Sequence, residues 1–212
     1  MNLFKINDSV MIELPFKNKF EALKGTNGLN ISYFPDFLNK SKSDLLYKKF
    51  LENIPWQKYK IKIFGKTYDQ PRLTSFHSIG NKKYNYSQIG IKNNIMTKDL
   101  SSLLNQIHDK TNYRFNSVLL NLYRDGMDSN GWHSDNEPEL GDNPKIASIT
   151  LGEERFFHIK HKNKKNLRYK ILLKHGSLLL MGDKSQTDWL HQVPKTKKKI
   201  NPRINLTYRY IY

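Results

Sequence analysis

His133-Ser134-Asp135 and, 56 residues beyond the Asp, His191 in Trp189-Leu190-His191-Gln192-Val193-Pro194 supply two imidazoles and one carboxylate. Residues i and i+2 of an extended backbone point to the same side, so His133 and Asp135 can grip one ion while His191 arrives from another strand. With coordination positions left open, that set suits a non-haem Fe(II) oxygenase, and zinc hydrolases use similar ligands. The chain has no Cys, which excludes disulfides, iron–sulfur clusters, Cys-ligated zinc and thiol nucleophiles.

A second constellation stands in Pro202-Arg203-Ile204-Asn205-Leu206-Thr207-Tyr208-Arg209-Tyr210. Alternation separates Ile204, Leu206, Tyr208 and Tyr210, which make core, from Arg203, Asn205, Thr207 and Arg209. Two fixed cations inside a barrel are costly unless an anion meets them. Arg recognises carboxylates in planar, bidentate fashion, so the pair suits opposite ends of a small diacid such as 2-oxoglutarate. Asn121 and Tyr123 likewise share a polar face opposite Leu120 and Leu122.

These residues need rigid carriers. Strands are predicted over 60–64, 71–77, 116–123, 146–151, 154–161, 168–173, 177–181 and 203–212. Helices are expected after a cap at Ser41 or Ser43, carrying Leu45, Leu46, Phe50 and Ile54, and after a cap at Thr97, carrying Leu100, Leu103, Leu104 and Ile107. Strands and helices do not alternate, so the fold class is mainly β with flanking helices, a double-sheet jelly roll. Residues 1–30 read as an irregular lead-in, and 31–212 as one domain. The stretch 124–145 reads as a long loop, either functional or simply solvated, whose Asp125, Asp128, Asp135, Glu137, Glu139 and Asp142 suit a cation.

The chain has 212 residues and 36 Lys+Arg against 19 Asp+Glu, a net charge of +17 that favours polyanionic partners. The surplus is mostly Lys beside abundant Asn, a bias that an AT-rich genome also produces. No run approaches membrane-spanning length and no signal pattern opens the sequence. A soluble, intracellular monomer without membrane association is expected.

On these motifs, the stretch 60–212 resembles the AlkB family of Fe(II)/2-oxoglutarate-dependent nucleic-acid dealkylases, and within it the duplex-DNA-repairing branch. The resemblance implies a double-stranded β-helix, with a nucleotide-recognition part near 60–95 and a catalytic core near 115–212. It implies that His133, Asp135 and His191 ligate iron. Arg203, Asn205 and Tyr123 would hold the distal carboxylate of 2-oxoglutarate, and Arg209 with Asn121 the end that chelates iron. The implied cofactors are Fe(II), 2-oxoglutarate and O2. The implied reaction couples decarboxylation of 2-oxoglutarate to hydroxylation of a base N-methyl group, which leaves as formaldehyde.

The same resemblance places a base pocket at Pro71-Arg72, Tyr84-Asn85-Tyr86-Ser87 and Glu137. Tyr84 and His133 would sandwich a flipped base, Arg72, Tyr86 and Ser87 would line the pocket, and Glu137 would bond the base edge. Ile63-Phe64-Gly65-Lys66 is similar to that branch's apolar finger; Phe64 reads either as a wedge in the base stack or as a buried strand-end residue. Lys160, Lys162, Lys164, Lys165, Arg168 and Lys170, and Lys195, Lys197, Lys198 and Lys199, could meet phosphates. His158-x-x-His161 has odd spacing, which points the rings apart and argues against a second metal site. The expected substrates are 1-methyladenine and 3-methylcytosine in DNA, duplex by the finger reading. The same chemistry on RNA or single strands, a silent nucleic-acid-binding jelly roll and a zinc hydrolase are the alternatives.

Overall fold

The structure, a computed structural model, describes residues 11–14, 21–63, 66–80, 82, 85–86 and 89–212. In chain order the elements are β1 (Ile12–Glu13), β2 (Glu21–Thr26), β3 (Leu29–Phe34), α1 (Lys40–Asn53), β4 (Lys60–Ile63), β5 (Lys66–Asp69), β6 (Leu73–Ser78), β7 (Asn85–Tyr86), β8 (Ile89–Gly90), β9 (Asn93–Ile95) and α2 (Lys98–Thr111). There follow β10 (Ser117–Tyr123), β11 (Asn130–His133), β12 (Ile146–Gly152), β13 (Arg155–His161), β14 (Arg168–Leu173), β15 (Leu178–Gly182), β16 (Trp189–Val193) and β17 (Arg203–Arg209). The larger sheet has the order β2-β3-β15-β12-β17-β10-β6-β9 and the smaller β1-β14-β13-β16-β11; β4-β5 and β7-β8 are separate hairpins. This is the expected jelly roll.

Strand alternation sorts the side chains into two cores. Val118, Leu120 and Leu122 of β10, Ile149 and Leu151 of β12, and Ile204, Leu206 and Tyr208 of β17 pack with Leu46 and Phe50 of α1 and with Leu100, Leu103, Leu104 and Ile107 of α2. The helices therefore cover the outer face of the larger sheet. Between the sheets lie Leu119, Ile146, Phe157, Ile159, Ile171, Leu173, Leu179, Trp189 and Val193. The residues alternating with the outward-packed set, Asn121, Tyr123, Arg203, Asn205, Thr207 and Arg209, fall on that inner side. Register pairs Tyr123 with Arg203, Asn121 with Asn205 and Leu119 with Thr207.

Several local expectations are corrected. Where it is described, the lead-in is not irregular: β2 and β3 form a hairpin through Asn27-Gly28, whose φ values of 54° and 79° are those of the Asn-Gly turns that suit strand twist. The Nε1 of Trp189 donates to Asn27 O at 3.1 Å and ties this turn to the barrel. Helix α1 starts earlier than expected because Asn39, not a Ser, is its cap, its Oδ1 accepting from Lys42 N at 2.9 Å. Ser43 instead donates its hydroxyl to Asn39 O. Thr97 caps α2 as expected. The stretch 124–145 is interrupted by β11 and a short turn of 3-10 helix at Pro138–Leu140. Tyr210 lies past the end of β17 and is 44 % exposed, so it does not join the core.

Candidate active site

Register sets His133, at the end of β11, directly opposite His191 on β16, and brings their Nε2 atoms to 3.1 Å. Asp135, two residues past the strand, puts Oδ1 3.7 Å from His133 Nε2. Ligand atoms of all three residues lie within 4.8 Å of one another. Phe157 stacks on the His191 ring, 5.1 Å between centroids, and fixes its plane.

The electrostatics prepare these groups as ligands. His133 Nδ1 lies 2.8 Å from Gly131 O, an acceptor, so the network assigns the proton to Nδ1 and makes Nε2 the acceptor, 3.1 Å from the Asn130 amide nitrogen. Burial pushes the His133 imidazole below its ordinary value, and burial with the neighbouring His133 pushes His191 down to about 3. Both are neutral donors at physiological pH. Burial alone would raise the Asp135 carboxyl, but Arg209 and the imidazoles outweigh it and hold the group down at about 2. Arg209 Nη2 donates to Asp135 Oδ2 at 2.9 Å, while Oδ1 is buried and has no hydrogen-bond partner among the described residues. A buried carboxylate oxygen without a donor, facing two imidazole nitrogens, fits a cation.

One cavity gathers Asn121, Tyr123, His133, Asp135, His191, Asn205 and Arg209 with Ser148, Phe157 and Met181. Asn205 Nδ2 donates to Ser148 Oγ at 2.7 Å. Arg203 lies across the Tyr123 ring, 5.3 Å from its centroid, and donates from Nη2 to Thr150 Oγ1 at 2.9 Å. Its Nε and Nη1 are buried without partners among the described residues. Burial pushes this guanidinium down to about 10, so it remains a cation. These unspent donors are the complement of a carboxylate.

Arg72 lines a separate groove on the far side of His133, and its guanidinium turns inward to Asn121 Oδ1 at 3.0 Å and Ser129 O at 3.1 Å. Glu137 is half-buried just before Pro138–Leu140. Phe64, Tyr84 and Ser87 lie outside the described residues, as does the side chain of Tyr86, whose backbone is in β7. The acidic loop does not act as one cation site. Asp128 pairs with Arg124 at 2.7 Å, Asp125 accepts from Met127 N, and only Asp135 of that loop joins the imidazoles. His158 turns to Gln192 while the His161 ring meets Trp189, so these two rings do point apart.

Two supporting residues escaped the sequence reading. Gln186 Oε1 accepts from Asp135 N at 2.9 Å, and nothing in Ser185-Gln186-Thr187 signals a contact 51 positions away. Arg155 donates to Asp125 O at 3.2 Å, Asp128 O at 3.1 Å and Pro194 O at 2.5 Å, clamping the segments that lead into β11 and out of β16. Its signal was present: in Arg155-Phe156-Phe157-His158-Ile159 it occupies the buried side of the alternation. Gln186→Ala should weaken Fe(II) binding about 10- to 100-fold, the usual effect of losing a group that orients a ligand, and metal titration of the purified variant measures it.

Comparison with known proteins supplies the family. Residues 30–209 match the 2OG-Fe(II) oxygenase superfamily. The human alpha-ketoglutarate-dependent dioxygenase alkB homolog 3 is 37 % identical over 200 residues, covering 90 % of this chain and 69 % of that protein. The human DNA oxidative demethylase ALKBH2 is 30 % identical over 194 residues, covering 87 % and 74 %. The solved structure of OsALKBH1 superposes with a TM-score of 0.67 at 16 % identity, covering 91 % of this chain and all of that one, a likeness of fold. The chain thus belongs to the 2OG-Fe(II) oxygenase superfamily, in its AlkB family, and is a dioxygenase that uses Fe(II), 2-oxoglutarate and O2.

Proposed function

We propose that this enzyme removes N-linked methyl groups from nucleobases, with 1-methyladenine and 3-methylcytosine in DNA as substrates and formaldehyde, succinate and CO2 as products. The observation that carries this is the groove of about 510 Å³ that shares His133 with the metal triad and is also lined by Tyr68, Arg72, Trp132 and Lys195. It is large enough for a nucleotide, and it combines aromatic faces with cations. The net charge of +17 supplies the field that draws a polyanion to it.

In this reading His133, Asp135 and His191 hold the iron. Arg203, Asn205 and Tyr123 bind the distal carboxylate of 2-oxoglutarate, and Arg209 with Asn121 binds the end beside the metal. Because Asn121 Oδ1 is engaged by Arg72, its N–H donors remain for that carboxylate. The bound metal and cosubstrate supply O2 activation and the oxygen atom that hydroxylates the methyl carbon. Arg209 keeps Asp135 ionised, Gln186 holds the backbone of Asp135, and Phe157 closes the inner side of His191 to water. The hydroxymethylated base then breaks its N–C bond, returning the proton to nitrogen and releasing formaldehyde.

Duplex preference rests on Phe64, which follows Ile63 of the β4-β5 hairpin and lies outside the described residues. Matched single- and double-stranded oligonucleotides carrying 1-methyladenine, incubated with protein, Fe(II), 2-oxoglutarate and ascorbate, should each be scored by mass spectrometry. Loss of one methylene mass per lesion supports the reading, faster in duplex if Phe64 is a wedge. Succinate without mass loss would assign the oxygenase to another substrate, and no succinate would sink turnover altogether.

A further inference from the structure

Gln70 stands immediately before Pro71-Arg72 and lines the groove beside His133, yet it is only 1 % exposed. Both its Oε1 and its Nε2 are buried without a hydrogen-bond partner among the described residues. An amide in that state bears the desolvation cost of a donor and an acceptor at once, a cost that folded chains normally avoid. Its surroundings explain why the chain does not satisfy it. The backbone is fixed by Gln70 N donating to Tyr59 O at 2.8 Å, and Pro71 O accepts from Ser129 N at 2.9 Å. Asp69 is committed to Lys58 at 2.7 Å, and the Arg72 guanidinium reaches Asn121 and Ser129 O. The polar groups on either side in sequence are therefore already bound to other partners, and none among the described residues is left for the amide.

The groove says what the amide's complement is. It opens onto a metal-ligating imidazole at one wall, carries half-exposed Tyr68 and half-buried Trp132, the latter with Lys160 Nζ 4.4 Å over its ring, and has Lys195 at its rim. A flat heteroaromatic ligand with an anionic backbone fits such walls. Among the major-groove edges of the bases, the one that meets a carboxamide with one donor and one acceptor side by side is adenine's N6 and N7. An adenine alkylated at N1 turns that neighbouring position to the metal and leaves N6 and N7 for the groove wall. A cytosine alkylated at N3 offers the N4 amino group on the corresponding side but only a C–H next to it, so half of the amide stays unsatisfied.

We propose that Gln70 is a specificity-determining residue of this groove, its amide reading the N6 and N7 edge of a flipped N1-alkylated adenine. This deepens the dealkylase reading above and rests on it. With the side chain turned into the groove, Gln70 Oε1 accepts from N6–H and Nε2 donates to N7, which gives the amide two partners that no described residue supplies. The enzyme then discriminates in favour of adenine lesions over cytosine lesions in the same strand, because a site with an unmet polar group rejects the ligand that fails to pair it.

The test compares wild type with Gln70→Met, which keeps the side-chain length and removes both polar atoms, on otherwise identical oligonucleotides carrying 1-methyladenine or 3-methylcytosine. The expected result is a fall in kcat/KM of about 10-fold or more on the adenine lesion and a much smaller change on the cytosine lesion. Thermal stability of the variant should be equal to or above that of wild type, since an unsatisfied amide has been removed. Equal losses on both lesions with a lowered Tm, or no loss on either, would overturn the role of Gln70. A wild-type enzyme that demethylates neither lesion would overturn the dealkylase reading itself, and the two failures are told apart in the same assay.

Discussion

Asp135→Ala should bring 2-oxoglutarate turnover to background and at the same time destabilise the metal-free protein by about 3–5 kcal/mol, the cost of stripping one partner from a buried ion pair. The two effects have different origins on the same side chain. Oδ1 faces the His133 and His191 imidazoles and has no hydrogen-bond partner among the described residues, whereas Oδ2 accepts from Arg209 Nη2 at 2.9 Å with both side chains almost fully buried. Removing the carboxylate deletes a ligand and takes from the buried Arg209 guanidinium the anion it donates to at 2.9 Å. For a domain of this size the stability loss corresponds to a fall in Tm of roughly 6–20 °C. The double variant Asp135→Ala/Arg209→Met separates the two roles. Its stability should recover, because the stranded cation is gone, while its succinate production stays at background. Unchanged succinate formation in Asp135→Ala would remove Asp135 from the metal site; a stability loss that persists in the double variant would remove the ion pair as its cause.

How far this site could be read from the chain follows from how local its signals are. Alternation over Arg203–Arg209 and Ser117–Tyr123 is periodic within one strand, and although every position of both strands is buried the packing follows it: Val118, Leu120, Leu122, Ile204, Leu206 and Tyr208 toward the helices, and the polar set with Leu119 and Tyr123 between the sheets. Helix α2 was legible for the same reason, with Thr97 as cap and four Leu or Ile residues at helical spacing, all buried. Strand β11 was not, because Asn130-Gly131 resembles a turn and the strand exists only through its pairing with β16. The Asn27-Gly28 hairpin was readable from its turn residues alone and was overlooked amid scattered Gly and Asn. Within the site, the ligands and the paired arginines carried chemical identity in their types. Gln186 and Gln70 carried none: a glutamine is ordinary anywhere, and only burial of the amide, satisfied in one case and unsatisfied in the other, gives each a role.

The second large effect concerns Arg203 and has an unusual sign. Arg203→Met should raise the KM for 2-oxoglutarate by roughly 30-fold or more, as expected when about 2–5 kcal/mol of a desolvated charge pair is lost. It should leave the stability of the ligand-free protein unchanged or higher. The guanidinium is 1 % exposed, donates to Thr150 Oγ1, and keeps Nε and Nη1 buried without partners among the described residues. Its surroundings add no anion. The Tyr123 ring lies 5.3 Å from it, and Arg155, 5.9 Å from the same ring, adds a second positive charge. Burial and that neighbour together account for the lowered guanidinium pKa of about 10. The bond to Thr150 and the contact with the Tyr123 ring offset only part of the cost of burying this cation before a carboxylate enters, so replacing it with an apolar chain of similar length removes more penalty than support. Linkage gives a readout independent of turnover. Saturating 2-oxoglutarate with iron should raise the Tm of the wild type by mass action, while the same concentration should shift Arg203→Met far less. A variant that loses stability on its own yet keeps the full ligand-induced shift would make Arg203 a structural residue and would move the distal carboxylate elsewhere in the cavity.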